Sequence, residues 1–540
     1  MKQNVALLRK QNPEFKHCLF DDTMCRNFIK EHFDDSVLWA FDKLKPGAYK
    51  ADLWRYCVLY IHGGIYLDIK YRCANGFKLT ALTDREYWVR DRLYFIDNKY
   101  PAKHGIYQAL LVCNSQNEKL LQCIRSIVRN CETNAYNNND LDVCGPHALA
   151  RFFDEKQDIL SSDLYFTGDS IRMKGSNSKG GDRDREILTV YREYRQEQSR
   201  CERTPYYKTM WIERDIYSYP TLQFQKRINL SHSSVHRING RKMRLYSGTP
   251  TIIQDPHRVG QYIINFRWIN YEYRPNGSRK SVPKQWVSKN SRYRLNSDFK
   301  KISQEVFLQE DFEREKTYWG MGLEDMRIFH HAVTDKTYYI ATHFDPKRCI
   351  TSMSSDRYSL TKTNTPYSLE RRIILPTMYD TNKTKIPEKN WNFFDYRGNL
   401  RVVYKWSPVQ ICEIDFDNQK LNLTEERDVP EYFRDARGTS SGFTCPNGEI
   451  WFVLHKAQTY EKDSHTFLNY QHFFAVFDND MNLLRYSELF KLGDAKVEFC
   501  IGLIIESERT ILSYSLLDTQ SYIATYSNEY IRTGIKWYET

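Results

Sequence analysis

With 540 residues the chain is too long for a single hydrophobic core and has room for two domains. Its 41% hydrophobic and 27% charged content is that of a globular protein, which excludes a fibrous or low-complexity chain. The net charge of +11 is dispersed, without Lys/Arg blocks or a nucleic-acid motif, so it reads as a mild bias toward anionic ligands and not as nucleic-acid binding.

In chain order, Leu7 and Leu8 fall in a short helix closed by Asn12-Pro13, residues 16–20 read as a strand, and Asp21-Asp22 open the next helix. The stretch from Lys50 to Lys70 is the most informative. Ala51, Trp54, Val58 and Leu59 recur with helical period and predict an apolar stripe facing a core. Asp52 and Arg55, three apart, share a face where they can pair or meet a ligand. His62-Gly63-Gly64 ends that helix, and the period then becomes two. Ile65, Leu67 and Ile69 point one way, while Tyr66, Asp68 and Lys70 point the other. Helix, glycine turn and strand thus deliver an acid and a base together; a core helix on a core strand with a surface salt bridge is the plainer account.

Residues 86–96 alternate as strands, residues 106–112 are apolar, and residues 117–128 form an amphipathic helix. Gly145-Pro146 opens a helix reaching Phe152-Phe153. Residues 173–185, rich in Gly, Ser, Lys and Asp, form a loop that is either simply solvated or closes over a diphosphate. From about Pro220 helical periods vanish. Short strands follow at 262–268, 338–342, 400–404, 450–455, 473–477 and 510–514, several joined by Asp/Asn turns, as in Asp415-Phe-Asp-Asn418 and Asp478-Asn-Asp480. Hairpin after hairpin predicts a closed all-β architecture of repeated blades. The boundary divides the chain into domains 1–220 and 221–540.

The 39 tyrosines suit stacking on sugars and suit a β-rich core equally. Thirteen cysteines, an odd number without a C-x-x-C pair, read as free thiols in a reducing compartment. With no signal peptide and no apolar run of roughly 18 residues, no membrane span is expected and the expected location is cytoplasmic.

Ala51, Asp52, Arg55, Tyr56, Leu59, Tyr60, Gly63, Gly64, Ile65, Tyr66 and Asp68 together resemble the A-D-x-x-R-Y-x-x-L-Y-x-x-G-G-I-Y-x-D-x-D segment of family-32 glycosyltransferases. The order from Asp97-Asn98 to Gly145-Pro146, and the aromatic end around Trp211, are also similar to that family. The resemblance implies an α/β GT-A-like, Rossmann-type first domain. It implies a GDP- or UDP-sugar donor held by Asp52, Arg55, Tyr66, Asp68, Lys70 and Trp211, with Mn²⁺ or Mg²⁺ on the catalytic Asp68. Lys70 departs from the motif, whose second acid stands there. Either Asp68 holds a metal with less help, or Lys70 itself neutralises the diphosphate, or the site no longer transfers sugar. The family's usual first strand, which helps hold the base, is also missing.

Gly322-Leu-Glu-Asp-Met-Arg-Ile328 resembles the G-x-E-D-x-R-[IV] signature of family-130 glycoside hydrolases and phosphorylases. Arg267 with Asn270-Tyr271, Glu388-Lys389-Asn390-Trp391, Ala436-Arg437, His455 and Asp518 follow in that family's order. This implies a five-bladed β-propeller acting on β-mannosides, with Asp325 as acid. Arg267, Arg327, Lys389, Arg437 and His455 would surround inorganic phosphate and sugar, and Asp518 would contact sugar. A structural ring of salt bridges is the alternative for Glu324, Asp325 and Arg327.

The combined expectation is a glycosyltransferase passing a sugar, mannose-type favoured, from a nucleotide sugar to an oligosaccharide or glycan acceptor, with a mannoside-processing propeller. Two alternatives stand beside it: only the propeller is active, as a phosphorylase or mannosyltransferase, or the protein binds glycans without turnover. The chain also resembles glycosyltransferases of giant DNA viruses, for which the location would be the host cytoplasm.

Overall fold

The structure, a computed structural model, describes residues 1–94, 103–160, 162–175, 183–201, 205–238, 240–280, 285–307, 320–344, 349–356, 371–375, 390–418 and 420–540. Lys389, the Asp97-Asn98 pair and residues 176–182 of the predicted loop lie outside the described residues. The chain divides into two compact units, Met1–Ser218 and Tyr219–Thr540. No helix among the described residues is long and apolar enough to cross a membrane.

In the first unit the helix Gly47–His62 stops at Gly63, whose φ of 63° is left-handed. A Cβ there would also stand 2.6 Å from the Ser115 backbone nitrogen, so glycine is required twice over. The predicted apolar stripe is rotated. Tyr49, Leu53, Tyr56 and Cys57 are buried, and so are Asp52 and Arg55, while Ala51, Trp54 and Val58 are only half-buried. A stripe of apolar residues misjudges this face because the two opposite charges can be buried as a pair.

The helix predicted over 117–128 forms and runs further, Glu118–Thr133. The Asn117 side chain accepts from the amides of Lys119 and Leu120, and Leu120, Cys123, Ile124 and Ile127 are buried. The helix opened by Pro146 is shorter than expected, Pro146–Ala150. Residues 16–20 form no strand; Leu19 is exposed, and no strand among the described residues pairs with the segment.

Seven strands make one sheet in the order Gly64–Leu67, Lys103–Cys113, Tyr87–Tyr94, Leu164–Thr167, Ser170–Met173, Arg185–Val190, Tyr71–Cys73. Among the described residues its one parallel pairing is Tyr87–Tyr94 with Leu164–Thr167, and the other pairings are antiparallel. The sheet is therefore mixed, where the resemblance implied a Rossmann-type core. Tight connections such as Gly168, at φ 61°, permit antiparallel neighbours where a parallel pair needs a long crossover.

The second unit contains, among the described residues, five sheets in chain order, nearly all antiparallel. Their leading strands are Arg241–Gln254, Leu323–His331, Asn392–Tyr396, Arg437–Gly438 and Glu498–Ile505. The fifth sheet is completed by Lys226–Asn229, the earliest strand of the unit, paired to Gln520–Ser527. Every sequence-predicted strand of this half falls inside an observed one. The Asp/Asn turns form as expected: Asp478 Oδ1 accepts from the amides of Asp480 and Asn482, and Asp415 Oδ1 from Asn418.

Apolar clusters join each sheet to a neighbour. Tyr338 and Ile340 pack with Trp391 and Phe393, Phe394 with Phe452, Trp451 with Tyr514, and Trp268 belongs to the cluster containing Ile511. Where leading strands meet, glycine is forced. A Cβ on Gly438 would stand 1.5 Å from Asn392 Oδ1, and one on Gly502 2.9 Å from the Ile252 nitrogen.

Candidate functional sites

In the first unit the structure gathers Asp52, Arg55, Tyr66, Asp68 and Lys70. Asp52 and Arg55 lie one helical turn apart with Nη1 3.1 Å from Oδ1. Arg55 Nη1 also donates to the Gln108 carbonyl at 2.8 Å, and its guanidinium lies 4.8 Å from the centre of the Tyr66 ring. Burial pushes the Asp52 carboxyl up to about 6 despite Arg55.

Asp68 lies just beyond the Gly64–Leu67 strand, where the chain turns toward Tyr71–Cys73. The Tyr66 hydroxyl donates to its Oδ1 at 2.8 Å, and Lys70 Nζ sits 2.8 Å from its Oδ2. Burial works to raise the Asp68 carboxyl, but Lys70, Arg55 and Tyr66 hold it below the usual carboxylate range. Lys70 is held above its ordinary value by Asp68, against burial. The rings of Tyr71 and Tyr107 stand 5.5 and 5.4 Å from Nζ, and the two hydroxyls are 2.9 Å apart.

Trp211 is placed with other partners: Nε1 donates to the Tyr136 carbonyl, and Arg214 lies over its ring. Sequence reasoning missed Gln108, whose Oε1 accepts from the Tyr56 hydroxyl, and Tyr107 beside Lys70. Neither belongs to a motif; strand alternation alone could have flagged them.

The divalent ion implied by the resemblance does not fit these donors. A hard cation takes several oxygen ligands. Among the described residues of this cluster Asp52 is already paired with Arg55, one Asp68 oxygen is taken by Tyr66, and an ammonium already neutralises the other. Among the described residues no group of three His, Cys, Asp or Glu side chains could hold a metal.

In the second unit Arg267, Glu324, Asp325 and Asp518 converge. Arg267 Nη1 donates to Asp325 Oδ1 at 2.8 Å, Nη2 pairs with Glu324, and Nε donates to Ser288 at 3.0 Å. Asp325 occupies a β-bulge, since pairing jumps from Glu324↔Thr342 to Arg327↔Ile340. Its φ of 50° is left-handed, a strain of about 1–3 kcal/mol that re-aims its side chain. Asp518 accepts from the Tyr271 hydroxyl at 3.2 Å; burial, with Asp325 and Glu324 adding, pushes it up to about 6 against the pull of Arg267.

The other predicted cations divide. Arg327 is 2% exposed, and its donors go to the Thr439 carbonyl, the Asp325 carbonyl and Asn390 Oδ1. It ties neighbouring sheets together and presents no free fork, and burial brings it down to about 10. His455 is buried, with Nδ1 2.9 Å from Thr439 Oγ1 and its ring edge-on to Phe499. Arg437, opposite His455 in register, is exposed. A separate cavity of about 410 Å³ is lined by farther parts of the same strands, including Ile252, Phe329 and Gly502; no predicted site residue lines it.

Comparison with known proteins bears on the first unit. Residues 1–87, which include Asp52, Asp68 and Lys70, match the family described as "Glycosyltransferase sugar-binding region containing DXD motif". An uncharacterized glycosyltransferase of Acanthamoeba polyphaga mimivirus is 47% identical over 67 residues, 12% of this chain and 27% of that protein. Inositol phosphoceramide mannosyltransferase 2 of Schizosaccharomyces pombe is 35% identical over 79 residues, 15% of this chain and 22% of that protein. The matches thus span about a quarter of each relative. Among solved structures, a β-1,2-mannobiose phosphorylase from Listeria innocua aligns over 53% of this chain and 90% of its own, at 12% identity and a TM-score of 0.35.

Proposed function

We propose that this protein is a glycosyltransferase that passes a sugar, mannose in the first instance, from a nucleotide-sugar donor to a carbohydrate acceptor. The reading is carried by one observation: within the matched residues 1–87, Asp52, Arg55, Tyr66, Asp68 and Lys70 form a single charged cluster next to a glycine turn. Asp68 and Lys70 would face the donor, and Arg55 would fix Tyr66 and Asp52 behind them. The name of the yeast relative supports mannose as the first sugar to try.

The second unit, on this reading, is a five-bladed β-propeller that binds or processes mannosides. Its five sheets, and the early strand that completes the last one, support that architecture. A second reading, in which this unit alone turns over substrate as a β-mannoside phosphorylase or mannosyltransferase, is favoured by Asp325. A carboxylate re-aimed by a bulge and held against Arg267, with Asp518 sharing its field, supports a role in passing a proton between a sugar hydroxyl and the glycosidic oxygen.

The test incubates the full chain with GDP- and UDP-sugars and glycan acceptors and measures nucleoside diphosphate release. Release lost in Asp68→Asn and retained in Asp325→Asn supports the first reading. No release, with phosphate-dependent mannoside cleavage lost in Asp325→Asn, replaces it with the second.

A further inference from the structure

The Asp68–Lys70 pair is an answer to a charge problem. A donor diphosphate brings negative charge to a cluster that already holds Asp52 and Asp68. A D-x-D site meets that charge with a divalent ion between two acids. Replacing the second acid by lysine removes one negative charge and adds one positive charge, a change of two units, which equals the charge of the ion. The site's charge is thereby conserved with no ion present.

Geometry agrees with the arithmetic. Lys70 Nζ lies 2.8 Å from Asp68 Oδ2, and its side chain is still 20% exposed, so a ligand can reach it. Among the described residues Asp68 is the one carboxylate within ion-pair distance of that ammonium. Three donors and a single carboxylate leave capacity for phosphate oxygens. The Tyr71 and Tyr107 rings beside Nζ restrict where the ammonium can go.

We infer that Lys70 is a built-in cation that takes the place of the divalent metal, so that the first unit binds the diphosphate of a nucleotide sugar without metal. This rests on the transferase reading above and specifies how its donor site works.

The experiment measures binding of GDP and of UDP to the full chain by calorimetry, once in EDTA and once in Mn²⁺. The expected result is binding in EDTA that Mn²⁺ changes by less than about twofold. Lys70→Ala should weaken it by about tenfold or more, and Lys70→Arg should largely keep it. Lys70→Asp, which restores two acids, should bind poorly in EDTA and recover about tenfold with Mn²⁺. Its nucleotide complex should also retain Mn²⁺ in the electron paramagnetic resonance spectrum, and the native complex should not.

Native binding that requires Mn²⁺ overturns the inference while leaving the transferase reading intact. Absence of GDP and UDP binding in both buffers also overturns it, and the release assay then judges the transferase reading separately. If Lys70→Ala fails to fold, the native EDTA/Mn²⁺ comparison and Lys70→Arg still decide.

Discussion

The carbonyl oxygen of Asp518 lies 1.8 Å from the point a Cβ on Gly248 would occupy. The strand Arg241–Gln254 and the turn that joins Arg509–Leu516 to Gln520–Ser527 therefore approach so closely that the strand must carry no side chain at this position. Gly248→Ala should displace Asp518 and destabilise the second unit by about 1–3 kcal/mol. Urea unfolding monitored by tryptophan fluorescence checks the size, and mannoside binding should weaken in parallel.

Arg267 bridges Glu324 and Asp325, one donor nitrogen to each, and all three are buried. Removing the cation in Arg267→Met takes a buried ion-pair partner from two adjacent carboxylates, at a cost of about 3–5 kcal/mol. Adding Glu324→Gln should recover part of the loss. A double-mutant cycle in urea measures the coupling, and strictly additive losses would contradict the shared pairing.

Asp325 separates chemistry from strain. Asn adopts the left-handed conformation readily, so Asp325→Asn should add no backbone strain, costing only its share of the Arg267 pairing, while cutting any mannoside turnover by about 10²–10⁴-fold. Asp325→Ala should lose the same activity and about 1 kcal/mol of stability besides. Parallel melts and rate assays distinguish the two effects.

Glu498 gives the second unit a pH dependence. It is fully buried with Lys491 Nζ 3.3 Å away, and burial pushes its carboxyl up to about 7. The folded state then holds that proton more tightly than the unfolded chain. The associated stability is complete below about pH 4.5 and is lost as pH rises through about 7. The midpoint of thermal unfolding should fall across this window, and Glu498→Gln should flatten the slope.

Much of this was readable from the chain. Strands 262–268 and 510–514 declare themselves because residues buried on both faces read as nearly continuous apolar runs. Asp52 and Arg55 declare themselves because spacing puts them on one helical face, and Asp68 and Lys70 because alternation puts them on one strand face with Tyr66. What could not be read depends on pairing between distant segments. The bulge at Asp325 exists only relative to the partner strand. The engagement of Arg327 by carbonyls of another sheet carries no local signal, so a buried brace and a phosphate fork look alike in sequence. Residues 16–20 had strand-like composition but no strand to pair with among the described residues. Trp211 had an aromatic context that fits Tyr136 as well as a nucleotide.

The strand that completes the fifth sheet is among the first of its unit to be synthesised and among the last to be used. Its neighbourhood is bonded across a separation of 290 residues, from Ser231 to Ser521. At ordinary translation rates those residues take roughly 15–60 s to appear. Throughout that interval the early strand lacks the partner it has in the finished sheet. The timetable of biosynthesis, more than the stability of the finished fold, sets when this half of the protein is most exposed to misassembly.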